Sequence, residues 1–158
     1  MRKSVPWHHF ESVNAEFAAT GKRLLYQDNP HAAAFLATVD VSNGPRVHPV
    51  FPVIAEGELW LFIVNMSPKY RDLETNPQIA LHAMPTQQGG EEFHLRGDAE
   101  ETHDAKKKAL IVAATAGRQG VHPFEALFCV RIHSALHTLW ENWGTAQTWP
   151  NYRKWRSQ

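Results

Sequence analysis

Only one cysteine, Cys129, occurs in the 158 residues, so no intramolecular disulfide can form and the chain suits a reducing compartment. Net charge is also absent. Sixteen Lys and Arg balance sixteen Asp and Glu, so no global field draws the protein to nucleic acid or to an anionic membrane. Any anion must be held by a local cluster. No apolar run approaches the roughly 20 residues of a membrane span, and the start, Met1 to His9, has no apolar signal core. A soluble, unprocessed, cytoplasmic protein is expected. Cys clusters and a His-Glu-x-x-His element are missing, so ten histidines do not make a metal centre, even with His133 near His137 and His82 and His94 on neighbouring strands. There is no internal repeat, no low-complexity tract and no strand–helix alternation of a parallel sheet. One domain spanning 1–158 is expected.

What is present is mostly strand. Apolar residues at Trp7, Phe10, Val13, Phe17, Leu24 and Leu25 recur at helical spacing, which predicts an N-terminal amphipathic helix over about 7–26, ended by Asp28-Asn29-Pro30. Strands are predicted at Ala33 to Val41, Val47 to Ile54, Leu59 to Val64, Ile79 to Met84, Phe93 to Ala99 and Leu127 to Leu139. A turn at Ser42 to Pro45 joins the first two, and a linker, Gln87 to Gly90, separates the fourth from the fifth. The last strand alternates, with Phe128, Val130 and Ile132 on one face and Cys129, Arg131 and His133 on the other. Between strands, Ser67-Pro68 reads as a helix cap and first turn, and 102–116 as a helix with Ala109, Leu110, Val112 and Ala113 as its apolar face.

Arg46, at the start of the second strand, and Ser67-Pro68-Lys69, at a helix start, are the residues most suited to chemistry. A helix N-terminus with a hydroxyl and an ammonium makes a phosphate seat, to which Arg46 adds a bidentate donor. The plainer alternative is a simple N-cap with two solvated cations. Among the histidines His48 stands out as a candidate catalytic residue, because it shares a strand with Arg46.

In order and spacing, the blocks Ala34 to Val50, Glu58 to Val64, Ser67 to His82 and Phe93 to Glu100 resemble the pyridoxamine 5'-phosphate oxidase-like flavin split-barrel family. The resemblance covers about 32–140 and leaves a Trp-rich tail at 141–158. It implies a six-stranded antiparallel split barrel that forms a homodimer, with cofactor sites at the subunit interface. FMN is the implied cofactor, with a deazaflavin coenzyme or haem as alternatives. By similarity, Arg46, Val47, His48, Pro49 and Val50 run along the ring, and Ser67 and Lys69 hold the phosphate. Phe62 and Ile63 lie beneath the cofactor, and Trp140 packs near it from the other subunit. The lysine of the Arg-x-Val-Leu-Leu-Lys pattern is missing after Arg46, and only Arg131-Ile132-His133 approaches the Arg-Leu-His-Asp-Arg substrate signature. An FMN-dependent oxidoreductase of a general-stress-protein-like branch, acting on a small molecule other than pyridoxamine phosphate, is therefore expected. The alternative is a non-catalytic flavin-, deazaflavin- or haem-binding sensor. The aromatic and basic tail offers an RNA-binding reading too, but in a neutral chain it suits an interface or a pocket cap better.

Overall fold

The computed structural model describes residues 3–27, 33–83, 90–115 and 120–158. In chain order the elements are α1 (Trp7–Val13), α2 (Ala15–Lys22), a π-helical turn (Arg23–Gln27), β1 (Ala34–Val39), β2 (Pro45–Val50), β3 (Pro52–Ala55) and β4 (Glu58–Val64). They continue as α3 (Pro68–Thr75), β5 (Gln78–Ala83), β6 (Glu91–Thr102), α4 (Ala105–Ala114), β7 (Glu125–Glu141) and β8 (Trp149–Arg156). The expected 28–30 breaker and most of the 87–90 linker fall outside the described residues.

Every strand pairing is antiparallel, in the order β2-β1-β5-β6-β7-β4-β3, with β8 added to β7. β2 and β3 stand at opposite ends of this order, yet only Phe51 separates them in the chain. The two ends of the sheet must therefore meet at Phe51, and the sheet curls into an open barrel of the split type.

Eight strands replace the six expected, for two reasons. The run 47–54 does not continue as one strand: it breaks at Phe51 and passes from one end of the sheet to the other. The tail is not a loose cap either, since 149–156 pairs with β7 from Glu141 to Ser134. β7 thus gives one long edge to three segments: β4 along 125–130, Val5 at Ile132, and β8 beyond.

The expected N-terminal helix is in fact two. Asn14 at φ −154° ends α1, and its side chain accepts from Phe17 N at 3.3 Å to start α2. This corner lets Trp7, Phe10 and Phe17 all point inward, with Phe17 edge-on to Phe93 at 5.8 Å, and the pair of helices roofs the barrel core of Leu36, Leu61, Leu81, Leu95 and Ile132. Each such side chain removed from water contributes about 1.5–3 kcal/mol.

The other face of β3, β4 and β7 carries a second cluster of Val53, Trp60, Phe62, Leu127 and Cys129 under Ile111 of α4. Here the expected α4 face is corrected. Ile111 is buried, while Ala109, Leu110 and Ala113 point outward and Val112 is half-buried. At 100° per residue Ile111 lies opposite Ala109 and Ala113, and the side with one large branched residue and Lys108, whose ammonium caps the carbonyl of Glu125, is the side that docks. Burial holds the Cys129 thiol up at about 12, with Glu58 adding to the effect. No described helix is long and apolar enough to cross a membrane.

Candidate functional site

The hairpin from β1 to β2 is tied by Asp40. Its carboxylate accepts from Ser42 N at 2.8 Å and Gly44 N at 2.9 Å, with Asn43 in the left-handed region at φ 63°. Those bonds and Arg46 hold the Asp40 carboxyl below its ordinary range. Across the ladder Arg46 stands opposite Thr38. Arg46 Nη2 donates to Asp40 Oδ2 at 3.0 Å, and its Nε lies 3.6 Å from Asp72 Oδ2 on α3. Asp72 is buried and accepts from the buried Thr38 hydroxyl at 2.7 Å. Arg46 thus sits between two carboxylates.

α3 begins where the sequence places it. Ser67 caps it by accepting from Tyr70 N at 3.3 Å, and Pro68 occupies the first position. This sets Lys69 against β2, where its ammonium donates to the Pro49 carbonyl at 3.4 Å. Among the described residues no carboxylate comes within 4.0 Å of Lys69. Burial lowers its pKa, and Glu125 at the start of β7 partly opposes this. His48 lies in the same cluster. Its Nε2 is buried with no hydrogen-bond partner, and burial followed by Lys69 lowers its pKa, while Asp72 acts the other way.

Arg46, His48, Ser67 and Lys69 are therefore brought together at one end of the barrel. Val47, Pro49 and Phe51 alternate outward, and with Met66 they leave an exposed apolar surface beside the cluster. Val50 turns into the core. Phe62 and Ile63 are not at a surface: Ile63 is 0% exposed inside the barrel, and Phe62 lies in the cluster under α4. Trp140 sits near the far end of β7 from Glu125, its backbone N donating to Gly90 O at 2.7 Å and its buried Nε1 without a partner. At about 3.3 Å per residue the two ends lie up to roughly 50 Å of strand apart.

Sequence reasoning missed Asp40 and Asp72, which hold Arg46, and Thr38, which donates to Asp72. Asp72 had a signal, a carboxylate directly beside the inward-facing Leu73. Among the described residues the other histidines do not converge. His82 and His94 face each other across β5 and β6 with ring centroids 6.1 Å apart. His133 and His137 bind separate carboxylates, Asp98 at 2.8 Å and Glu91 at 2.9 Å.

Burial lowers both His48 and His94, the latter with help from His82 and Arg96. Above the ordinary value of 6.5 both folded and unfolded imidazoles are neutral and contribute nothing to pH dependence. Below it the unfolded chain takes protons that the folded one refuses, so stability falls as the pH drops from 6.5 toward the lowered folded values. Carboxylates with lowered pKa act below 4.5, outside this window. Urea unfolding at pH 7.5 and 5.5 is expected to show lower stability at 5.5, with a smaller drop in His94→Gln.

The family model for pyridoxamine 5'-phosphate oxidase matches residues 22–133. No curated protein matches the sequence. Among solved structures, HutZ, the heme storage protein from Vibrio cholerae, is 19% identical with a TM-score of 0.58, covering 78% of this chain and 89% of its own. PhzG from Burkholderia lata 383, solved with tetrahydrophenazine-1-carboxylic acid, is 10% identical with a TM-score of 0.60, over 96% and 94% of the two chains. An F420 reductase is 21% identical with a TM-score of 0.56, over 72% and 94%. At these identities the likeness is one of fold.

Proposed function

Because the chain belongs to the pyridoxamine 5'-phosphate oxidase family, we propose that it binds FMN between β2 and the start of α3 and works as an oxidoreductase on a small molecule. The observation that carries this reading is Lys69: a partly buried side chain whose ammonium has no carboxylate within 4.0 Å among the described residues, set in the first turn of a capped helix. Burying an uncompensated cation is unfavourable, and a phosphate of charge about −1.5 to −2 offsets it.

The residues fit the phosphate end of FMN. Lys69 neutralises it, the Ser67 hydroxyl and the Lys69 backbone N–H donate to it, and Arg46 completes the seat by turning from Asp40. They fit the ring in one respect, the buried Nε2 of His48, which meets a polar edge of the ring as donor or acceptor according to tautomer. With its pKa lowered, His48 is neutral at pH 7 and adds no charge beside the ring. Bound there, the flavin would supply hydride and single-electron chemistry, which the protein need only orient and shield. The proposal includes a homodimer: one chain keeps its own Trp140 far from Lys69, and the exposed Val47, Phe51 and Met66 suit a covered surface. Light scattering tests that part.

Titration of the purified protein with FMN and riboflavin tests the site. Lys69→Ala should weaken FMN roughly tenfold or more, as loss of a charge-assisted contact does, and riboflavin less than twofold. Equal losses overturn the phosphate assignment, and no flavin binding at micromolar concentration overturns the reading. A second reading, haem or a deazaflavin held without turnover, is favoured by the pairing of Arg46 with Asp40 and Asp72, which reduces the charge on offer to a phosphate. Tight binding of either with no flavin binding decides for it.

A further inference from the structure

Lys3, Val5 and Ser157 converge on an irregularity in β7. Arg96 pairs with Ser134 and Gly97 with Ile132, so His133 is an extra residue, a bulge of the kind that re-aims a side chain. His133 meets Asp98 Oδ2 through Nε2 at 2.8 Å and the Lys3 carbonyl through Nδ1 at 3.0 Å. Ser157 N donates to the His133 carbonyl at 2.9 Å, and the Ser157 hydroxyl donates to the Lys3 carbonyl. Val5 and Ile132 exchange backbone bonds of 3.0 and 2.8 Å beside them.

These bonds fix the walls of a cavity of about 260 Å³, lined by Lys3, Arg96, His133, Ser134, Arg156 and Ser157. Its lining is cationic. Arg23, Arg46, Arg131 and Arg153 each have a carboxylate partner, whereas Lys3, Arg96 and Arg156, like Arg71 on α3, have none within 4.0 Å among the described residues. Three cations thus border one concavity whose lining holds no carboxylate, and Asp98 behind it is already engaged by His133. Like charges so placed repel, and a bound anion relieves the repulsion.

The geometry points to a second anion site, separate from the β2–α3 cluster, that takes the phosphate-type oxyanion group of a small solute. Two guanidinium forks offer bidentate contacts, Lys3 a point charge and Ser134 a hydroxyl. The cavity is too small for a nucleic-acid groove, and no Phe, Tyr or Trp lines it.

Calorimetric titration with inorganic phosphate at fixed ionic strength tests the site, in the Lys69→Ala protein so that the β2–α3 seat is silent. One saturable site per chain is expected, together with a shift of the His133 ring resonances that saturates in step. Arg96→Gln and Arg156→Gln should each weaken binding tenfold or more, and Lys106→Gln, an exposed cation on α4, less than twofold. Arg96 and Arg156 are exposed, so both variants should melt with the parent protein. Binding that does not saturate, equal losses in all three variants, or binding abolished by Lys69→Ala alone overturns the site. FMN titration of Arg96→Gln keeps the two readings apart: it is expected to match the parent whether or not phosphate binding is lost.

Discussion

Gly97→Ala is expected to destabilise the protein by about 3 kcal/mol or more, lowering the melting temperature by on the order of 10 °C in a chain of this size. A Cβ built on Gly97 would stand 2.1 Å from the Arg131 carbonyl oxygen, 3.0 Å from its carbon and 3.3 Å from Ile132 Cα. All three are backbone atoms of the adjacent strand, so no rotamer change can relieve the clash. Relief requires the β6–β7 ladder to separate at the bulge, and β7 is the strand on which β4, β6, β8 and Val5 all pair. Gly120→Ala is the control, because a Cβ there meets nothing within 4 Å. Thermal and urea unfolding of both variants measures the difference. A loss below 1 kcal/mol for Gly97→Ala would mean that the bulge yields cheaply, and the close approach would then not explain the glycine.

The same bulge shows what the sequence could and could not reveal. Alternation along 128–133 was legible because each face is uniform: Phe128, Val130 and Ile132 enter the barrel core, and Cys129 enters the outer cluster. The extra residue at His133 leaves no mark in hydrophobicity, since a bulge is set by what the partner strand does. Ser67-Pro68 was legible because capping is local chemistry. Phe51 was legible only in part: Pro49 and Pro52 interrupt the β-branched and aromatic run at 47–54, but proline is also found within edge strands and at strand starts, and it is the closure of the sheet that forces a change of partner there. The Trp-rich tail hid a strand for a related reason. Its exposed Trp149 and Tyr152 show no buried period, because β8 lies at an edge and gains its order from ladder bonds to β7. In the site, Arg46 and Lys69 were recognisable as cations, but their difference was not. Asp40 and Asp72 pair with the first and leave the second without a carboxylate, a distinction made by contacts 6 and 26 residues apart along the chain, from Arg46 to Asp40 and to Asp72.

Asp72 supplies the other large effect, and it separates stability from ligand affinity. Asp72 is 4% exposed, accepts from the Thr38 hydroxyl at 2.7 Å and stands 3.6 Å from Arg46 Nε. Asp72→Ala leaves a buried hydroxyl without its acceptor, at about 1–3 kcal/mol, and removes part of the ion pair. Arg46 is partly solvated, which reduces that second contribution, so a total loss of about 2–4 kcal/mol is expected in urea unfolding. Asp72→Asn keeps an oxygen for Thr38 and removes only the charge, so it should cost less. Toward FMN the two effects have opposite signs. Without the Asp72 charge Arg46 is held by Asp40 alone, and the seat beside Lys69 becomes more cationic, so Asp72→Asn should tighten FMN roughly three- to tenfold while leaving riboflavin within twofold. Thr38→Val completes the comparison: it breaks the same hydrogen bond without touching the charge, and should lose stability with FMN affinity unchanged. If Asp72→Asn instead weakens FMN, Asp72 serves to aim Arg46 at the phosphate rather than to compete for it, and the electrostatic account of the site fails.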